Sequence, residues 1–177
     1  MNLSKRKEKE KIVFSLFLWT IGLIYTLTKG KFVNNLGLGT LDIDLITISA
    51  AYLFLAYGSL RTAIFAFGQG FIVDIYSGGL QGIYAFTYLC IFFIILIGSK
   101  SFNIKEPKGQ FLLVFIAVVF KKIFTLLILW AFLNEITFVK SPIWISGSSA
   151  LITAIFAPVI FYLFNRLREI SHLKAKI

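Results

Sequence analysis

Leu60–Gly82 reads LRTAIFAFGQGFIVDIYSGGLQG, and its two halves decide the fold. From Leu60 to Tyr76 the stretch is fit for lipid, apart from one carboxylate, Asp74, near its end. From Ser77 to Gly82 it is a glycine turn. Apolar blocks of about 18 residues with few charges read as transmembrane helices rather than as one-faced surface helices. A charge inside such a block is expensive, roughly 2.5–3.5 kcal/mol for Asp at a helix centre. Asp74 must therefore face protein or water and have a partner. Ser77-Gly78-Gly79 lets the chain reverse at once, because glycine accepts positive φ without steric cost.

Working outward, the same pattern repeats. The 177 residues are 58% hydrophobic and 17% aromatic, with 20 Phe. Ordinary soluble domains sit near 45–50% apolar, taken as about half of the chain at most. Six blocks emerge: about Ile12–Thr28, Leu41–Tyr57, Leu60–Tyr76, Leu80–Ile97, Gln110–Leu133 and Pro142–Phe164. The expected fold is an all-α integral membrane protein, a bundle of six transmembrane helices with short loops. It becomes five if block two or three is re-entrant, since several blocks are at the short end for a bilayer core about 30 Å thick. The whole forms one domain at residues 12–164, between a basic tail at 1–11 and another at 165–177. No small-x-small cleavage site follows the first block, so it reads as an uncleaved helix.

The net charge of +10 flanks the apolar blocks, as juxtamembrane anchors do. That placement argues for membrane lipids as the partner of the basic ends, and against nucleic acid. Orientation follows the lysine and arginine bias. With both termini cytoplasmic, the inside holds Lys5, Arg6, Lys7, Lys9, Lys11, Arg61, Lys100, Lys105, Lys108, Arg166, Arg168, Lys174 and Lys176. The outside holds only Lys29, Lys31 and Lys140. The single cysteine, Cys90, lies in an apolar block and reads as a small buried hydrophobe. The single histidine, His172, lies in the basic tail and reads as solvated.

Within the third block, Ala63, Ala66, Phe67, Gly70, Asp74 and Ser77 recur at helical spacing and share a face. Ala66 and Gly70 form a small-xxx-small pair that lets a second helix approach closely. Lys121 and Lys122, in the middle of the fifth block, are the candidate partners of Asp74. At about 1.5 Å per residue, Asp74 lies about 21 Å and Lys121 about 16 Å above the inner ends of their blocks. Consecutive residues point about 100° apart, so at most one lysine easily faces Asp74. Asp42 and Asp44 open the second block, where carboxylates suit the helix dipole. Pro158 should kink the sixth block, and Ser146–Ala150 offers small residues for tight packing. No nucleophile–His pair, phosphate-cradling glycine loop or Cys/His metal spacing is present, so neither an enzyme nor a cofactor is expected.

The order of features resembles the rod shape-determining protein MreD family of bacteria. The resemblance is carried by G-x-x-x-D-x-x-S-G followed by a leucine-glycine turn, here Gly70 through Asp74 to Ser77 and Gly78, then Gly82. The family commonly has Pro-Asp or Pro-Asn at the start of its second span. This chain has Ile43-Asp44, keeping the acid without the proline. Pro158 followed by bulky residues and a basic exit, Asn165-Arg166-Leu167-Arg168, resembles the family's last span. The Lys121-Lys122 pair is a departure from it. The resemblance implies a non-enzymatic scaffold in the bacterial plasma (inner) membrane. It would pair with MreC and link indirectly to MreB, a RodA-type glycosyltransferase and a class B penicillin-binding protein. Contacts would fall on Asp74 with its glycine turn, on Ala66 and Gly70, and on Asp42 and Asp44. The alternative is the substrate-binding subunit of a vitamin transporter of the energy-coupling factor type, also six-span. That class commonly carries alanine-xxx-alanine in its first span, whereas Ile12–Thr28 has no alanine.

Overall fold

Every apolar block becomes a helix, because a chain rich in Leu, Ile, Phe and Ala can satisfy its backbone internally only as helix or closed barrel. A computed structural model describes residues 3–35, 43–77, 82–132 and 143–174. Among them are six helices and no strand. They are α1 (Leu3–Asn35), α2 (Leu45–Tyr57), α3 (Ser59–Ser77), α4 (Ile83–Ser101), α5 (Pro107–Phe132) and α6 (Ile143–Lys174). α1 begins at Leu3 and α6 runs to Lys174, so the described parts of the two basic segments are helical. Lys29 and Lys31 also fall inside α1.

Four helices are long and apolar enough to cross a membrane: Lys11–Thr28 of α1, Ile83–Ser101, Pro107–Ile128 and Gly147–Glu169. α2 has 13 residues, about 20 Å at 1.5 Å per residue, well short of a bilayer core about 30 Å thick. α3 is long enough but carries Arg61, Gln69 and Asp74.

The short α2 is the hub. It packs against α1, α3, α4, α5 and α6 alike. Eight consecutive residues, Ile46 to Leu53, are buried. A helix apolar all round belongs in an interior, and here the enclosing material is the other five helices. Tyr52 fixes α2 to α6: its ring meets Phe161 and Phe164 edge-on, and its hydroxyl donates to Asn165 Oδ1 at 3.1 Å. On α6 the buried stripe is Ala150, Ala154, Ala157, Phe161 and Phe164. Pro158 lies inside one continuous α6 helix, where it leaves the Ala154 carbonyl without its helical donor.

α2 and α3 are joined by Gly58 alone, at φ 85°, a conformation that favours glycine. The outward faces are apolar. On α3, Leu60, Ile64, Phe67, Phe71 and Ile75 are all exposed, a contiguous stripe suited to lipid rather than water.

Candidate functional site

Among the described residues two carboxylates are buried in the bundle, and each is satisfied in its own way. Asp74 is 3% exposed. Its Oδ1 accepts from Tyr84 N at 2.9 Å and its Oδ2 from Ala85 N at 2.8 Å. Those are the second and third residues of α4, whose N-cap is Gly82 at φ 99° with no side chain to offer. The first N–H groups of a helix lack internal partners and carry its positive dipole end. Asp74 therefore does from α3 what an N-cap side chain does locally. The approach this requires is made at Gly70, where a Cβ would stand 2.6 Å from both Ala85 Cα and Tyr84 O. Gly70, Asp74, Gly82 and Ala85 thus form one clasp between α3 and α4.

The pairing of Asp74 with Lys121 or Lys122 expected from helix depth is corrected by this geometry. Among the described residues α3 and α5 share no contact, since α5 packs on α4, α6 and α2. Depth counting gives height along a helix and says nothing of lateral order. Lys121 instead meets Asp44, Nζ to Oδ2 at 2.6 Å. Its ammonium also donates to the Tyr88 hydroxyl at 2.6 Å and lies 4.3 Å from that ring's centroid.

Around this pair, polar groups converge from four helices. Asp44 is the N-cap of α2 and accepts from Thr47 N at 3.2 Å and Thr47 Oγ1 at 2.7 Å. The Tyr88 hydroxyl on α4 donates to Asp44 Oδ1 at 3.4 Å. Thr153 on α6 accepts from Asp44 N at 3.2 Å, while its own hydroxyl donates to Ser149 O at 2.8 Å. Just outside, the Tyr25 hydroxyl of α1 donates to Ile43 O. The Lys121 side chain is 15% exposed against 6% for Asp44. A buried pair needs further hydrogen bonds to offset desolvation, and Thr47, Tyr88 and the α2 N-terminus supply them.

The expected α3 face is right in part. Ala66 and Gly70 are buried, but Phe67 and Ser77 are exposed and Ala63 is half-buried. The buried stripe is Thr62, Phe65, Ala66, Gln69, Gly70 and Asp74, rotated so that Phe67 faces outward. Phe67 belongs with the apolar outer surface, where an aromatic ring costs nothing in lipid. Lys122 is half-buried. Asp42, Gly78 and Gly79 lie outside the described residues. Gln69, which no motif singled out, is fully buried and donates from Nε2 to Trp19 O at 3.1 Å. Gly22 makes room for it, since a Cβ there would meet the Gln69 amide. Its signal in the sequence is a polar residue five positions before Asp74, flanked by Gly68 and Gly70, which permit a close neighbour. Among the described residues no group of three His, Cys, Asp or Glu side chains converges on a metal-sized site.

Comparison of the chain with family models, with characterised proteins and with solved structures finds no match.

Proposed function

We propose that the chain is a non-enzymatic scaffold subunit of the bacterial cell-elongation machinery, of the MreD kind. It would pair with MreC and couple peptidoglycan synthesis to the MreB cytoskeleton. One observation supports this reading above others. Of the Gly70–Gly82 segment that carries the resemblance, the described residues Gly70, Asp74 and Gly82 each have a structural task in clasping α3 to α4. Two helix ends held together in this way, α3 at Asp74 and α4 at its first turn, offer a firm base at one end of the bundle for a docking partner. The proposed topology is six crossings of the plasma membrane with both termini cytoplasmic, on the lysine and arginine bias. α2 is compatible with a crossing despite its length, because the surrounding helices and not lipid cover it.

A second reading, the substrate-binding subunit of a vitamin transporter, is favoured by the polar and aromatic convergence at Asp44, Tyr88 and Lys121. One experiment separates the two. The protein is purified in detergent, then assayed for co-purification with MreC and for binding to a vitamin panel. MreC recovery with no vitamin bound is expected. Tight vitamin binding without MreC recovery would sink the scaffold reading.

A further inference from the structure

The end of the bundle opposite the Asp74 clasp holds an open cleft of about 560 Å³, independent of both carboxylates. One wall is the end of α2, with Phe54 and Leu55. The other is the end of α4 and the loop into α5, Ser99 through Lys105. The lining is amphipathic in an ordered way. Phe54, Leu55, Phe102 and Ile104 are apolar, while Lys100 and Lys105 are exposed cations. Among the described residues the lining contains no acidic residue. The nearest acid in sequence, Glu106, is engaged by Asn103, whose Nδ2 donates to Glu106 Oε1 at 2.7 Å.

The loop wall is firmly held. Gln110 Nε2 donates to Ile104 O at 3.1 Å, Glu106 N to Asn103 O at 3.1 Å, and Phe102 N to Gly98 O at 2.9 Å. A Cβ on Gly109 would collide with the Asn103 backbone, so α5 sits hard against the loop. The two lysines are thus mounted on a stiff turn at the mouth of the cleft. Lys100 also lies in the last turn of α4, where a cation suits the helix dipole. Lys105 lies beyond the helix and has no such reason to be there.

We propose that this cleft is a binding site for one anionic phospholipid. Lys100 and Lys105 would hold the phosphate, and Phe54, Leu55, Phe102 and Ile104 would take the start of an acyl chain. Two features select a lipid over a free anion. The site pairs cations with an apolar wall, and it opens where two membrane-length helices, α4 and α5, meet their connecting loop. Basic groups beside membrane-crossing helices attract anionic headgroups, and a pocket with apolar contact adds selectivity for a held molecule. A soluble phosphate would use only the lysines.

The test is native mass spectrometry of the full chain in detergent, titrated with short-chain phosphatidylglycerol or phosphatidylcholine. The wild type should retain one phosphatidylglycerol in preference to phosphatidylcholine, on the order of thirtyfold for two lysines. Lys100→Gln with Lys105→Gln should abolish the preference. Lys100→Arg with Lys105→Arg should keep it, and so should Lys108→Gln, which alters a cation of the same region that does not line the cleft. Unchanged elution and melting of each variant establish that it is folded. Equal retention of both lipids by the wild type overturns the proposal, as does a preference that survives the double Gln substitution. Displacement of phosphatidylglycerol by equimolar inorganic phosphate would show a free-anion site and overturn it as well.

Discussion

Asp44 and Asp74 are both buried carboxylates at helix ends in an apolar bundle, yet one is held by a cation and the other by backbone. Asp74 faces the start of α4, where two N–H groups and a dipole are already in place, so no counter-ion is needed. Asp44 caps its own helix but lies where α4, α5 and α6 converge, and there it meets Lys121, a charge that has to be accommodated too. The difference teaches that a buried acid in a membrane-type bundle is not by itself a sign of a cation nearby. Helix ends compete for it.

The sharpest way to break the comparison is to remove the cation. Lys121→Met takes the ammonium away from the buried Asp44 carboxylate, and should destabilise by about 3–5 kcal/mol. Melting in detergent reads this, and Asp44→Asn in the Lys121→Met background should recover much of the loss. If the single variant melts with the wild type, the pair is not structurally coupled. Lys121→Met combined with Asp74→Asn should instead be additive to within about 0.5 kcal/mol, because the two sites share no partner. A large coupling between them would restore the pairing expected from helix depth.

Asp74→Ala comes next. It strands the Tyr84 and Ala85 N–H groups, at about 1–3 kcal/mol for each unsatisfied group. Hydrogen exchange should accelerate at those two amides first. Asp74→Asn keeps one acceptor and should fall between wild type and alanine. Uniform exchange across α4 would argue against a capping role.

Gly70→Val tests the same clasp from its packing side. The added atoms meet the α4 backbone, which cannot yield as a flexible side chain would. Overpacking of this kind costs about 1–3 kcal/mol. The smallest effect is expected at Phe67→Ala, on the outer stripe of α3, within about 0.5 kcal/mol. A loss there as large as at Gly70 would place Phe67 in a contact that the bundle itself does not provide.

Much of the fold was legible. The apolar blocks at Leu60 and Gln110 match α3 and α5 to within about three residues at each end, because about twenty apolar residues have few other ways to satisfy a backbone. The ends were harder. α1 and α6 run through the basic segments because lysine, arginine and glutamate are good helix formers, and charge alone does not stop a helix. Asp44 was recognisable as a helix-start acid, and Ala66 and Gly70 as an inward pair. Phe67 and Lys121 were not, for a common reason. A helix apolar on every side has no amphipathic pattern to say which side faces in.

The sequence by itself determined that this chain is helical, that it is apolar enough for a membrane, and that its interior charges had to be satisfied internally. Only the tertiary structure decided the lateral order of the helices. It made the shortest of them the hub, set α5 against α2 rather than α3, and gave Asp44 the lysine and Asp74 the helix end. Hydrophobicity ranks residues by how readily they leave water, which separates helix from loop. It does not distinguish a neighbouring helix from lipid, so partner choice falls to close contacts such as Gly70 on Ala85, which form only once the bundle is assembled.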